Sequence, residues 1–355
     1  MTDFTDQSAP IRQGEELDIP SVEKYLKDNI EGLSGDLVVE QFPSGHSNLT
    51  YMIKVGEKEM VLRRPPFGSK VKTAHDMSRE YNILSAIHPV YDKVPKPLAF
   101  CEDESIIGAQ FYVMERIKGI IIRRTLPDGL EFPPETAKEC SKSLVENLAD
   151  IHAIDYKKVG LDKMGKPEGF LARQVKGWTD RYYGSKTDEI DQVDRVTKWL
   201  ADNAPESPPA TLIHNDYKYD NLILDPNDIT RIIGVLDWEM STIGDPLMDL
   251  GVMLSYWVQD DDPPELRMSA FGPTANPGSM TRKEIAGYYA ELTGRDITNI
   301  HYYLCFATFK LAVILQQIYY RFAKGHTADE RFGPLIDMVK LLVDVADQLI
   351  DRKSI

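Results

Sequence analysis

The stretch LIHNDYKYDNLIL, residues 212–224, sets His214, Asp216, Lys218, Asp220 and Asn221 between two runs of Leu and Ile. The flanking apolar residues predict two short buried strands, and a buried polar group without a partner is costly. A chain carrying this cluster must give it either a structural network or a ligand. That demand constrains the fold more than any other feature, because a tight hairpin has to bring the polar groups to one mouth.

Phosphoryl transfer from a nucleotide needs such a set of groups. A carboxylate accepts the proton of the attacking hydroxyl, amide and carboxylate oxygens hold magnesium on the phosphates, and cations offset the charge on the migrating group. Residues 214–221 read His-x-Asp-x-Lys-x-Asp-Asn, which fits a catalytic loop H-x-D-x-x-x-x-N in order and spacing. Sixteen residues after Asn221, Asp237 closes another apolar strand in VLDWE, as a second magnesium ligand should.

The rest of the chain is consistent with a two-lobed enzyme. Its 355 residues suffice for two cores, and 42% hydrophobic with 27% charged residues is ordinary for a globular protein. A net charge of −15 argues against nucleic acid or an anionic membrane as partner. Cys101, Cys140 and Cys305 are too scattered for a disulfide framework or a metal motif, which suits a reducing cytosol. The polar, acidic start is neither a secretory signal nor a transit peptide, so a cytoplasmic location is expected. YYLCFATFKLAVILQQIYY carries Lys310, Gln316 and Gln317 and predicts a buried helix, not a membrane span.

Periodicity gives an order of elements. Residues 1–18 suggest a mobile arm, followed by a helix in IPSVEKYLKDNIEG that Gly32 closes. LVVEQF, LTYMIKV and EMVLRR predict an antiparallel meander, AHDMSREYNILSAIH a helix, and KPLAFCED and AQFYVMERI two further strands. This divides the chain into an arm and helix over 1–36, a first lobe over 37–117 and a mainly helical second lobe over 118–355. Residues 259–280 predict a long acidic loop, and helices are expected near 281–293, 297–325 and 331–351. His152 falls on the apolar stripe of a helix as a core histidine, and Asp245 before Pro246 predicts a helix cap. Tyr302, Tyr303, Phe306 and Phe309 have helical spacing and are expected in the core.

With these motifs in place, the sequence resembles the aminoglycoside phosphotransferase family, a branch of the protein-kinase-like superfamily, over about residues 37–350. HNDYKYDN, LDWE and GDPLMDLG occur in the family's order. GHSNLTYMIKV and VLRRPP resemble the subgroup found alone in bacteria and fused to acyl-CoA dehydrogenases elsewhere. The resemblance implies an α+β, protein-kinase-like bilobal fold, with a five-stranded antiparallel N-lobe bearing one helix and a mainly helical C-lobe. It implies ATP (or GTP) and Mg2+ as cofactors.

Residue by residue, Asp216 matches the catalytic aspartate and Lys218 a lysine near the γ-phosphate. Asn221 and Asp237 match the two magnesium ligands, while Asp249 matches a helix aspartate that braces the catalytic loop, as His214 does. Ser44, Gly45, His46, Ser47 and Asn48 occupy the phosphate-covering loop. Val61 and Arg63 match the alanine and lysine of the kinase V-A-I-K strand, so Arg63 replaces the usual phosphate-binding lysine. Glu80 matches the helix glutamate that holds that cation, and the backbone of Glu115, Arg116 and Ile117 matches the hinge that pairs with adenine.

Only WEMSTI separates Asp237 from GDP, which leaves no long segment to seat a peptide. The expected acceptor is a hydroxyl of a small molecule, a hydroxyacyl compound being one class. An antibiotic kinase is the alternative, since Asp260, Asp261 and Asp262 could attract polyamines; a nucleotide-binding pseudoenzyme is another, for which Arg63 leaves room. Both monomer and homodimer are compatible with the sequence.

Overall fold

A computed structural model describes residues 4–43, 48–67, 76–327 and 329–355. The chain forms two compact units, Met1–Ile121 with Asn221–Met240, and Ile122–Asp220 with Ser241–Ile355.

The first unit opens with α1 (Ile19–Asn29), whose N-terminus is capped by the Asp18 side chain accepting from the Ser21 N–H. β1 (Leu37–Gln41), β2 (Leu49–Val55) and β3 (Lys58–Arg64) form the expected antiparallel meander. Then come α2 (Met77–Ile87), β4 (Pro97–Cys101) and β5 (Phe111–Glu115), and the sheet order is β1-β2-β3-β5-β4. Tyr51, Ile53, Met60, Leu62, Phe111 and Val113 share one core cluster with Val22 and Leu26 of α1. Strand alternation turns Val61 and Arg63 to the opposite face.

The arm expected to be mobile is held down over its described part. Ala9 and Gln41 exchange backbone hydrogen bonds of 2.9 and 2.8 Å, the Arg12 N–H donates to Gln41 Oε1 at 2.9 Å, and Leu17 is buried. The arm thereby covers backbone groups that the edge strand β1 would otherwise expose.

The second unit continues with α3 (Pro134–Ala153), α4 (Phe170–Ser185), α5 (Gln192–Asp202) and β6 (Thr211–Ile213). The hairpin β7 (Leu222–Asp225) and β8 (Asp228–Val235) follows in sequence but belongs to the first unit. Ile120 and Leu224 exchange backbone hydrogen bonds of 2.9 and 2.8 Å, and the Val235 N–H donates to Lys93 O at 2.7 Å. The sequence reading divides the chain once, at residue 117, whereas the compact units break after Ile121 and the hairpin rejoins the first; apolar periodicity cannot reveal which unit a hairpin joins.

β9 (Thr242–Gly244) pairs antiparallel with β6 in the second unit. α6 (Pro246–Tyr256), α7 (Pro264–Met268), α8 (Arg282–Thr293), α9 (Ile300–Ala323) and α10 (Leu335–Arg352) complete it. The segment 259–280, expected as a loop, contains α7 and is pinned at both ends. The Val258 N–H donates to Thr274 Oγ1 at 3.0 Å, and Trp257 Nε1 donates to Met280 O at 2.7 Å. Among the described residues no helix is long and apolar enough to cross a membrane. The three cysteines are buried free thiols.

α6 meets α9 at Gly251, where an added Cβ would lie 2.7 Å from Tyr303 O. Gly251→Ala is expected to destabilise the protein by about 1–3 kcal/mol through overpacking. The check is a lowered thermal midpoint by circular dichroism; an unchanged midpoint would mean the helices separate without penalty.

Candidate active site

In the first unit the site is built on a buried guanidinium. Arg63 is 7% exposed. Its Nη1 donates to Glu80 Oε1 at 2.8 Å, and its Nη2 to Asp237 Oδ1 at 3.0 Å. Glu80 Oε1 also accepts the Trp238 N–H at 3.1 Å, tying α2 to the residue after Asp237. Burial alone would lower the Arg63 pKa, but the facing Glu80 carboxylate, with Asp237, holds it well above the ordinary value. Burial raises the Glu80 carboxyl above its usual range, against the pull of Arg63.

Arg64 serves the other face. Its Nη1 donates to Ile107 O at 2.9 Å and its guanidinium lies 3.6 Å from the centre of the Phe67 ring. Alternation along β3 therefore separates a packing arginine from one that meets two acids.

Asp237 has φ 66°, a left-handed conformation that few non-glycine residues adopt, and its side chain is 31% exposed. Leu222 pairs with Val235, and the Leu236 N–H donates to Asn221 O at 2.8 Å. Asn221 and Asp237 thus leave the same end of the β7–β8 hairpin. Together they offer one carboxylate and one amide oxygen. That donor set fits Mg2+, which keeps waters and phosphate oxygens in its shell and needs only one or two protein carboxylates. Among the described residues there is no group of three or more His, Cys, Asp or Glu arranged to hold a metal ion.

The other positions named from sequence lie nearby or elsewhere as follows. Ser44, Gly45, His46 and Ser47 lie outside the described residues. Asn48 is buried and donates through Nδ2 to Glu239 Oε2 at 2.7 Å. Val61 is buried on the Arg63 side, opposite Met114 of β5. The Glu115 N–H already donates to Lys96 O at 2.8 Å. The Arg116 side chain serves packing, with Nη1 on Glu59 at 2.7 Å and Nη2 on Asp6 O at 3.0 Å.

In the second unit, Asp249 of α6 organises the 214–216 loop. Its Oδ2 accepts the His214 N–H and its Oδ1 the Asn215 N–H, both at 2.6 Å. His152 Nε2 lies 3.1 Å from Oδ2, and its Nδ1 lies 2.7 Å from the Tyr289 hydroxyl. Burial lowers the His152 pKa, so the ring is neutral. Burial would raise Asp249, but the hydrogen bond from His152 and the other donors hold it below the usual carboxylate range.

Asp216 emerges from this frame with both carboxylate oxygens engaged. Oδ1 accepts from the Tyr256 hydroxyl at 3.1 Å, and Oδ2 is paired with the Lys218 ammonium. Lys218 also lies 3.6 Å from Asp220 Oδ1 and 5.0 Å from the Tyr256 ring centre. The alternate residue Tyr217 turns inward, accepting from Asn147 Nδ2 at 2.9 Å and donating to Leu144 O at 3.0 Å. Sequence reasoning missed Tyr256, Asn147 and Lys310. The last left a signal, a lysine within an otherwise apolar helix.

The profile of the phosphotransferase enzyme family matches residues 38–281. The chain belongs to that family. Acyl-CoA dehydrogenase family member 11 of Rattus norvegicus is 35% identical over 357 residues, covering 99% of this chain and 45% of that protein. The chain thus spans about half the length of the curated relatives it matches. A crystal structure of a candidate aminoglycoside phosphotransferase from Ralstonia eutropha superposes with TM-score 0.81 at 30% identity, covering 95% of this chain and 99% of that one. Choline kinase from Cryptosporidium parvum superposes with TM-score 0.65 at 12% identity, covering 94% of this chain and 97% of that one. The α+β kinase-like fold holds, as does the likeness to the kinase-like domain that acyl-CoA dehydrogenase relatives carry.

Because His152 is folded as the neutral ring, its contribution to stability is present above pH 6.5, the ordinary histidine value, and is lost as pH falls below it. Denaturant unfolding is therefore expected to show stability decreasing from about pH 6.5 downward. His152→Asn should flatten that decrease relative to the native chain; identical pH curves would show that His152 is not buried neutral.

Proposed function

We propose that this family member moves the γ-phosphate of ATP (or GTP) to a hydroxyl of a small molecule. The observation that carries the reading is the Arg63–Glu80–Asp237 cluster, in which Arg63 and Glu80 are buried and Asp237 is part-exposed. Three charged groups from a strand, a helix and a hairpin converge there, and a purely structural core would be better served by apolar side chains. Arginine in place of lysine stays charged and can grip two phosphate oxygens.

Each residue then has a task. Arg63 binds nucleotide phosphate, and the backbone of Glu115, Arg116 and Ile117 pairs with adenine. Asn221 and Asp237 would hold Mg2+, which when bound would supply positive charge to the phosphates. Asp216 takes the proton of the acceptor hydroxyl as its oxygen bonds to the γ-phosphorus. The bond to the bridging oxygen breaks, and the nucleoside diphosphate leaves with that electron pair. Lys218 offsets charge beside Asp216.

The surroundings of Asp216 favour an acceptor bearing negative charge over a polyamine. Lys218 pairs with Asp216, and Lys310 lies within electrostatic range of Asp216, Lys218 and Arg181. Within the acidic segment that could draw an aminoglycoside, Asp262 is already paired, accepting from Arg282 Nη1 and Nη2 at 2.9 and 2.5 Å. A hydroxyacyl compound fits this setting, and the likeness to acyl-CoA dehydrogenase family proteins supports the same class.

A nucleotide-consumption screen over hydroxyacyl thioesters, hydroxy acids, amino-alcohols and aminoglycosides tests the reading; no consumption with any acceptor overturns it. Asp216→Ala is expected to lower kcat by about 10²–10⁴-fold while nucleotide affinity stays within about twofold. Magnesium-nucleotide should raise the melting temperature, and Asp237→Asn should shrink that rise. A rise of full size in the variant would remove Asp237 from the metal site.

A further inference from the structure

We propose that Lys310 is a positioning residue, its buried ammonium holding Asn215 in the left-handed conformation from which the next residue, Asp216, presents its carboxylate. The role given to Asp216 rests on the phosphotransferase reading above; the grip on Asn215 does not.

Lys310 is 5% exposed on α9, a helix otherwise apolar around it, with Phe306, Phe309 and Val313 buried as well. Its Nζ donates to Asn215 Oδ1 at 2.9 Å and to Asn215 O at 3.2 Å. The ammonium also lies 5.6 Å from the centre of the Trp178 ring, a distance at which the ring face attracts a cation.

Asn215 has φ 68°. A left-handed residue other than glycine is strained, least so for Asn or Asp. Its N–H is fixed by Asp249, and Lys310 takes the carbonyl and the side-chain amide oxygen. The residue is therefore gripped on its amide side by a carboxylate and on its carbonyl side by an ammonium. A rotation about Asn215 would swing Asp216 away from its present direction.

Burying a lysine is unfavourable, and burial lowers this one to about 8, with Asp216 and Asp249 opposing that fall while Lys218 and Arg181 add to it. It remains mainly protonated at neutral pH. Leucine or methionine would fill the same volume without that penalty, so the ammonium is retained for what it bonds.

The test compares the native chain, Lys310→Met, Lys310→Gln and the double variant Lys310→Met/Asn215→Gly. Steady-state kinetics and hydrogen exchange of the 213–218 amides are the readouts. Lys310→Met is expected to lower kcat about 10–100-fold with nucleotide KM within about twofold, the range for a small misplacement of a catalytic group. Exchange over 213–218 should quicken about tenfold while other core amides keep their protection. Lys310→Gln, which can still donate to Asn215, should lose less and serves if the methionine variant does not fold. Glycine adopts the left-handed conformation without help, so the double variant should recover about tenfold of the lost kcat.

Lys310→Met with native kcat and native exchange overturns the proposal, as does a double variant no better than the single one. If the native chain turns over no acceptor, the phosphotransferase reading fails, and the exchange comparison still decides whether Lys310 holds the loop.

Discussion

The 214–216 loop keeps its shape because one carboxylate, Asp249, sits fully buried beneath it and accepts the backbone N–H groups of His214 and Asn215. A buried ion without donors would be expelled or neutralised. Here two amides and a neutral imidazole satisfy it, so the loop and the helix become one rigid piece. The first unit uses the same logic with opposite sign: Arg63 is tolerated in the interior because Glu80 and Asp237 face it. Both frames fix charged side chains at defined angles in low-dielectric surroundings, where their fields are strongest.

Much of this was legible in the sequence. The polar residues within LIHNDYKYDNLIL called for a structural network or a ligand, and the alternation in EMVLRR predicted that Arg63 and Arg64 would part company. His152 was expected as a satisfied core residue, and it is one. Asp245 was expected as a cap, and its side chain accepts the Leu247 N–H at 2.9 Å. These readings depend on local spacing, which sequence records directly.

What escaped was non-local. Tyr256 closes α6 forty residues after Asp216, and Lys310 stands ninety-five residues from Asn215. Nothing in the periodicity of α9 says which loop its lysine will meet. Residues 1–18 read as a mobile arm, yet in its described part backbone hydrogen bonds between Ala9 and Gln41 of β1, indifferent to side-chain type, hold it. The segment 259–280 read as loop because of its prolines, although Pro264 begins a short helix where proline is well tolerated.

The hairpin β7–β8 has a bearing on how the polypeptide acquires its shape. The chain passes from one unit to the other between Asp220 and Asn221 and back between Met240 and Ser241. No single scission can therefore yield both units as intact fragments. On the ribosome, Ile120 and Lys93 must wait for Leu224 and Val235 before their backbone bonds can close. A nascent chain halted short of that point would have an unfinished sheet-bearing unit, so maturation of the amino-terminal portion is tied to synthesis of much of its neighbour.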